Sequence, residues 1–180
     1  MATVYSIGHG SRDLGSFVAL LKAARIERLI DVRAVPRSRR HPQFGYGPLG
    51  AHLAAEGMVY DWQGRALGGL RRAGDANRHS GLAEPAFRAY AEHMESTDFA
   101  VAAGTLVQAA QTARVCMMCA EREPAQCHRA LIADWLLAHG HRVVHLLDGA
   151  VLREHLLHPS VRLESGRLHY ADRSVQGELF

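Results

Sequence analysis

Lysine is almost missing from this chain of 180 residues: Lys22 stands alone among 21 basic side chains, and every other one is an arginine. Cysteine is scarce as well. Cys116, Cys119 and Cys127 are too few, and odd in number, for a disulfide framework, which fits a reducing compartment. No segment reaches the ~20 consecutive apolar residues that a membrane-crossing helix needs. The first strand-like run starts at Thr3 and leaves no room for a secretory leader, so the cytoplasm is the expected location and no membrane contact is expected. Internal repeats and low-complexity tracts are lacking too.

What is present suits one soluble core. Hydrophobic residues make up 48% and charged residues 22%, ordinary values for a globular domain of a length that fills one core and not two. Residues 1–158 are expected to form an α/β domain, with residues 159–180 as a hairpin and tail packed on it. The formal net charge of +3 is carried by arginine, whose planar fork grips phosphates and carboxylates in two places at once. That leans toward anionic partners, although a genome rich in G and C gives the same bias. The placement of the arginines is therefore more informative than their number.

Strand-like and helix-like runs alternate along the chain. Thr3 to Ile7 reads as a strand ending in Gly8-His9-Gly10, and Ser11 or Asp13 can cap a helix carrying Leu14, Phe17, Val18 and Leu21 at helical spacing. Arg28 to Arg33 is a second strand, halted by Pro36. Residues 37–48 read as a long loop, Leu49 to Glu56 as a short helix and Met58 to Trp62 as a third strand. Residues 63–83, rich in glycine and arginine, read as a structureless lid or binding loop. Helices follow from Pro85 to Met94 and from Asp98 to Thr112, the second capped by Thr97 or Asp98. A strand from Arg114 to Met118, a helix from His128 to His139 and a strand from Arg142 to Leu147 complete the alternation. Val151 to Leu157 reads as a short helix, and Val161 to Glu164 with Arg167 to Tyr170 as a hairpin around Ser165-Gly166. The expected fold is α/β: a central, mainly parallel sheet of about five strands flanked by helices, with a small C-terminal hairpin.

Right-handed crossovers put the carboxyl ends of parallel strands on one sheet edge. Gly8-His9, Arg33, Trp62 and the turn at Cys119 to Glu121 are expected to meet there. The reactive side chains concentrate in the same place. Two cysteines, two carboxylates, a histidine and two arginines lie between Cys119 and Arg129, in a strand-to-helix turn of the kind where α/β proteins bind ligands. Cys119 reads either as a thiolate with a lowered pKa or as a small residue packed under the loop. Glu121 reads as a general base or as an ion-pair partner of Arg33 or Arg129, and His128 as a proton carrier or a packing residue. Cys127 reads as a second redox or metal partner, or as a side chain that caps or packs the next helix. Asp31, in a buried strand, must accept hydrogen bonds from the Gly8-His9 turn or from an arginine, since an unpaired buried carboxylate is costly.

Metal-ligand spacing is poor. Cys119 and Cys127 have seven residues between them rather than two to four, adjacent Cys127 and His128 would diverge on a helix, and Cys116 and Cys119 would face opposite sides of a strand. No metal and no cofactor are expected. The run Arg37, Arg39, Arg40, His41, near Phe44 and Tyr46, and the arginines at 65, 71, 72 and 78 could hold phosphate and stack a base, or form a solvated basic surface.

The motifs Ser6-Ile7-Gly8-His9-Gly10-Ser11-Arg12, Leu29-Ile30-Asp31-Val32-Arg33-Ala34-Val35-Pro36-Arg37-Ser38, Pro42-Gln43-Phe44, Tyr90-Ala91-Glu92-His93-Met94 and Cys119-Ala120-Glu121 through Pro124 to Cys127-His128-Arg129 resemble those of the domain-of-unknown-function family DUF488, over about residues 4–150. The resemblance implies a single α/β domain with its characteristic residues at strand ends. It supplies no reaction. Asp31-Val32-Arg33 is also similar to a strand of rhodanese domains, but Ala125 stands where a Cys-x5-Arg loop starting at Cys119 would need arginine, which argues against sulfur transfer.

The expected function is an enzyme acting on a nucleotide, nucleic-acid component or other phosphorylated small molecule. Cys119, Glu121 and His128 would form its catalytic set, with Gly8, His9, Arg33, Arg37, Cys127 and Arg129 against the anion. The rival is a non-catalytic nucleic-acid-binding module using the arginine-rich loops. Oligomeric state is not legible.

Overall fold

A computed structural model describes residues 1–72, 74 and 78–172. Parts of two expected segments, residues 73 and 75–77 of the glycine-rich connection and residues 173–180 of the tail, lie outside the described residues. The described chain forms a six-stranded sheet, a separate two-stranded hairpin and six helices. Strands β1 (Thr3–Gly8), β2 (Arg28–Asp31), β3 (Val59–Trp62), β4 (Val115–Cys119) and β5 (Arg142–Leu146) run parallel, and β6 (Leu152–Glu154) closes one edge antiparallel to β5. The order across the sheet is β3-β2-β4-β1-β5-β6. The hairpin pairs β7 (Val161–Glu164) with β8 (Arg167–Tyr170).

Alternation along each strand builds two cores, one per sheet face. Helices α1 (Leu14–Ala23) and α2 (Tyr46–Ala55) place Phe17, Val18, Leu21, Leu49 and Leu53 against Ile7, Leu29, Cys116 and Met118. On the opposite face, α4 (Pro85–His93), α5 (Thr97–Thr112) and α6 (Arg129–Ala138) pack Tyr90, Phe99, Leu106, Ile132 and Leu136 against Val4, Ile30, Val115, Met117 and Cys119. A one-turn helix, α3 (Gly64–Leu67), buries Leu67 in the same core. Cys116 and Cys119 thus point to opposite faces, and Cys116 is fully buried. Deleting a fully buried leucine such as Leu29 from packing of this kind costs about 2–5 kcal/mol.

Several local expectations are corrected. Residues 151–157 form no helix: Leu152–Glu154 is the edge strand β6, with Val144 opposite Glu154 and Leu146 opposite Leu152. The pairing satisfies the open edge of β5, which a helix would leave bare. The 37–48 loop is shorter than expected, because Pro42–Phe44 form a 3-10 turn and α2 starts at Tyr46, with Pro48 tolerated in its first turn. Part of the connection expected to lack structure is α3. The cap of α5 is Ser96, whose hydroxyl accepts from the Phe99 N–H, and of the two candidates for α1 it is Asp13 that accepts from the Ser16 N–H. Helix α6 begins at Arg129, one residue later than expected.

Candidate functional site

The parallel register brings the strand ends to one edge. Gly8 pairs with Cys119, while Asp31 pairs with Met118 on one side and Trp62 on the other. Beyond the strands the ladder continues, with the His9 N–H donating to the Cys119 carbonyl and the Gly10 N–H to that of Ala120. The central neighbours β1 and β4 lead into helices on opposite faces, α1 and α6, so their connections part above the sheet edge. A crevice at such a point is the usual ligand position in an open α/β sheet. Here it is a cavity of about 340 Å³. His9, Cys119, Ala120 and Glu121 line it from β1 and β4; Arg33, Arg37 and Ser38 from the segment after β2; Phe87 from α4; Gly69 and Leu70 from the connection after α3; and Gln126, Cys127 and His128 from the approach to α6.

One wall is a compact polar cluster. The Cys119 thiol donates to Glu121 Oε2 at 3.1 Å, and His128 Nδ1 lies 3.8 Å from both Cys119 Sγ and Cys127 Sγ. His128 Nε2 lies 3.1 Å from the Val32 carbonyl, so Nε2 carries the proton and Nδ1 turns its lone pair to the thiols. Cys127 and His128 converge although adjacent, because Cys127 is extended (φ −138°, ψ 140°) and precedes the helix. Hydrogen bonding with Cys127 and burial push the Cys119 thiol well above the usual thiol range, opposite to the lowered value expected of a free nucleophile. Burial opposes ionisation of Glu121, yet hydrogen bonds from the Cys119 and Cys127 thiols hold its carboxyl below the usual range.

The opposite wall rests on a buried ion pair. Asp31, fully buried, accepts from Arg33 Nε at 2.9 Å, Arg33 Nη2 at 2.6 Å and the Tyr60 hydroxyl at 2.6 Å. Arg33 Nη2 also donates to the Phe44 carbonyl at 2.7 Å. Arg33 Nη1 is buried with no hydrogen-bond partner among the described residues. His9 Nε2 shares that condition. Its ring stacks on Phe44 with centroids 4.5 Å apart, and Nδ1 donates to the Gly10 carbonyl at 2.9 Å, which leaves Nε2 as an acceptor. Burial, with Arg33 and His41 nearby, lowers the His9 pKa and keeps the ring neutral.

Of the expected site residues, the structure gathers His9, Arg33, Arg37, Cys119, Glu121, Cys127 and His128 around the cavity. Gly8 and Arg129 lie beneath it. Arg129, almost fully buried, donates to the Glu121 and Arg122 carbonyls at 2.6 and 2.8 Å and fixes the β4 turn from below. Gly8 is required by close approach, since a Cβ there would stand 1.8 Å from the Glu121 carbonyl oxygen. Neither arginine suggested for the Glu121 carboxylate binds it among the described residues; its partner is a thiol. Phe44 is fully buried under His9 and unavailable for base stacking. The sequence reading missed Asp148, which bridges Arg12 and Arg122 and so ties the β1 and β4 turns together. It also missed Gly69 and Tyr90, which enclose the His128 ring.

A family model described as "Domain of unknown function DUF488" matches residues 13–136. The matched span holds Arg33, Arg37 and the whole Cys119 to Arg129 turn, and begins just after Gly8 and His9. No match was found among curated proteins or among solved structures.

Proposed function

This chain belongs to the DUF488 family, whose description assigns no activity, and from the geometry of its site we propose that it is an enzyme acting on a nucleotide, nucleic-acid component or other phosphorylated small molecule. One observation carries the reading: Arg33 and His9 line the same cavity, and each holds a buried polar atom, Nη1 and Nε2, with no partner among the described residues. Leaving such atoms unsatisfied costs about 1–3 kcal/mol each, a cost that a ligand supplying both bonds removes. Asp31 already neutralises Arg33, so Arg33 contributes a fixed hydrogen bond, while exposed Arg37 contributes the net positive charge for the anion. His9 Nε2 is the proton acceptor. The Glu121 carboxylate across the cavity is the second acid–base group, while His128 Nε2 is held by the Val32 carbonyl. Donors fixed before the ligand arrives can stabilise charge that develops during reaction.

A panel of nucleotides and phosphorylated metabolites, read by melting temperature and turnover, tests the proposal. A ligand at a hundred times its Kd should raise the melting temperature by about 5–10 °C. Arg37→Ala should weaken that ligand about tenfold, the equivalent of losing one charge-assisted hydrogen bond. His9→Gln and Glu121→Gln should still bind it and lose turnover. A panel in which nothing shifts melting or turns over would remove the enzyme reading.

A further inference from the structure

We propose that Cys119, Cys127 and His128 form a binding site for one zinc ion whose fourth coordination position opens into the cavity beside Glu121. The three ligand atoms, Cys119 Sγ, Cys127 Sγ and His128 Nδ1, all lie within 4.8 Å of one another in a buried cluster. With Zn–S of about 2.3 Å and Zn–N of about 2.0 Å, a tetrahedral ion holds sulfur and nitrogen about 3.5 Å apart. Both sulfur-to-Nδ1 separations are 3.8 Å, within a few tenths of an ångström of that value.

The imidazole is arranged independently for the same task. A metal-bound histidine almost always donates its other ring N–H to a carbonyl or carboxylate, which fixes the tautomer and aims the lone pair. His128 Nε2 meets the Val32 carbonyl in this way, and Gly69 on one ring face with Tyr90 edge-on at 4.9 Å holds the ring in place. Two thiolates would neutralise the divalent charge, and this borderline-soft sulfur and nitrogen set suits zinc over magnesium or calcium. Closed structural sites have four protein ligands; three ligands facing a cavity are the pattern of sites that hold a water or substrate oxygen. Glu121 Oε2, 3.1 Å from Cys119 Sγ, lies beside that position.

The second three-residue group does not compare. His79, Glu95 and His169 also lie close together, but the Arg78 guanidinium already pairs with the Glu95 carboxylate and opposes a cation.

The distant spacing that argued against a metal in the sequence is resolved by the fold. Cys119 closes β4, the intervening turn folds back through the 3-10 segment Pro124–Gln126, and extended Cys127 returns beside it.

The test is metal content of the full chain, purified in reductant without chelator, together with cobalt(II) titration as a spectroscopic probe. The expected result is close to one zinc per chain, lost in Cys119→Ser and in Cys127→Ser and retained in Cys116→Ala, whose thiol lies on the other sheet face. Cobalt should give thiolate-to-metal charge transfer and the strong visible bands of a tetrahedral site. Circular dichroism separates loss of metal from loss of fold in each variant. A folded protein that takes up neither zinc nor cobalt overturns the proposal, as does zinc retained when both cysteines are replaced. The measurement needs no substrate, so its failure is distinct from failure of the anion-binding reading.

Discussion

Single residues show how far burial arguments reach. Asp31 was readable as a supporting residue because a carboxylate inside an apolar strand has to be satisfied. Its partner was not readable: Arg33, two residues on, curls back to bind it, and Tyr60 arrives from the neighbouring strand. His145 carried no signal at all, yet it sits in the most strongly perturbed position among the histidines. Its Nε2 lies 3.0 Å from His155 Nδ1, and His155 Nε2 lies 2.9 Å from Asp134, which links buried His145 and Asp134 through half-buried His155. Burial, then repulsion from His155 and Arg129, lowers the His145 pKa to about 3. The unfolded chain therefore takes up a proton near pH 6.5 that the folded chain refuses until far lower pH. This contribution is absent above about pH 6.5 and destabilises increasingly below it, by up to about 1.4 kcal/mol per pH unit. Burial lowers the His9, His79 and His93 values in the same direction, so their effects add in sign. Urea midpoints at pH 7 and pH 5 should fall with pH, and by less in His145→Gln, which retains a donor for His155. An equal fall in parent and variant would show that the charge chain is not the cause.

At the level of elements, what was legible had a strong periodic or alternating pattern. The five parallel strands, α1 and α5 stand near their expected positions because their apolar spacing is tied to core faces. The edge strand β6 was missed because Val151, Leu152, Leu156 and Leu157 look like the apolar positions of a helix. All four are exposed, and it is backbone pairing to β5 that orders the segment. The approach to α6 matters more for function: Cys127 lies outside the helix in an extended conformation and so converges with His128 on the same point. Caps are legible only to within a residue or two, as α5 illustrates with three successive cap-forming side chains, Ser96, Thr97 and Asp98. Ser96 accepts from the Phe99 N–H at 3.2 Å. Ser96→Ala should therefore destabilise the protein by about 1 kcal/mol, measured by chemical denaturation, while Thr97→Ala should cost clearly less. Equal effects would return the cap to Thr97.

For the molecule as a whole, the C-terminal hairpin is attached by polar contacts as much as by packing. The buried Tyr170 hydroxyl donates to Asp134 of α6 at 2.9 Å, and the Gly81 N–H donates to the Tyr170 carbonyl at 3.0 Å. Among the described residues no helix is long and apolar enough to cross a membrane. Charge then separates the two functional readings. A net charge of +3 is small for a nucleic-acid-binding module, and much of the arginine content is committed elsewhere. Arg12 and Arg122 hold Asp148, Arg28 holds Asp61, Arg142 holds Glu154, and Arg129 is buried on backbone carbonyls. Arg71, expected on a phosphate-contacting loop, caps the carbonyls of Arg65, Ala66 and Gly68. What faces the cavity is Arg33 and Arg37. Two arginines suit one phosphorylated small molecule better than a polymer backbone. Affinity for a mononucleotide or phosphometabolite should accordingly fall by less than about tenfold between 50 and 200 mM salt, because only screening of a few charges is involved. A module following a nucleic-acid backbone through six or more phosphate contacts would lose on the order of 10³ over the same range, as counterions return to the polymer. Binding isotherms for a mononucleotide and for a single strand, each at both salt concentrations, make the comparison directly. A single strand that binds more tightly than any monomer, with the steep salt dependence and with Arg37→Ala weakening it, would transfer the cavity from an enzyme to a nucleic-acid-binding surface.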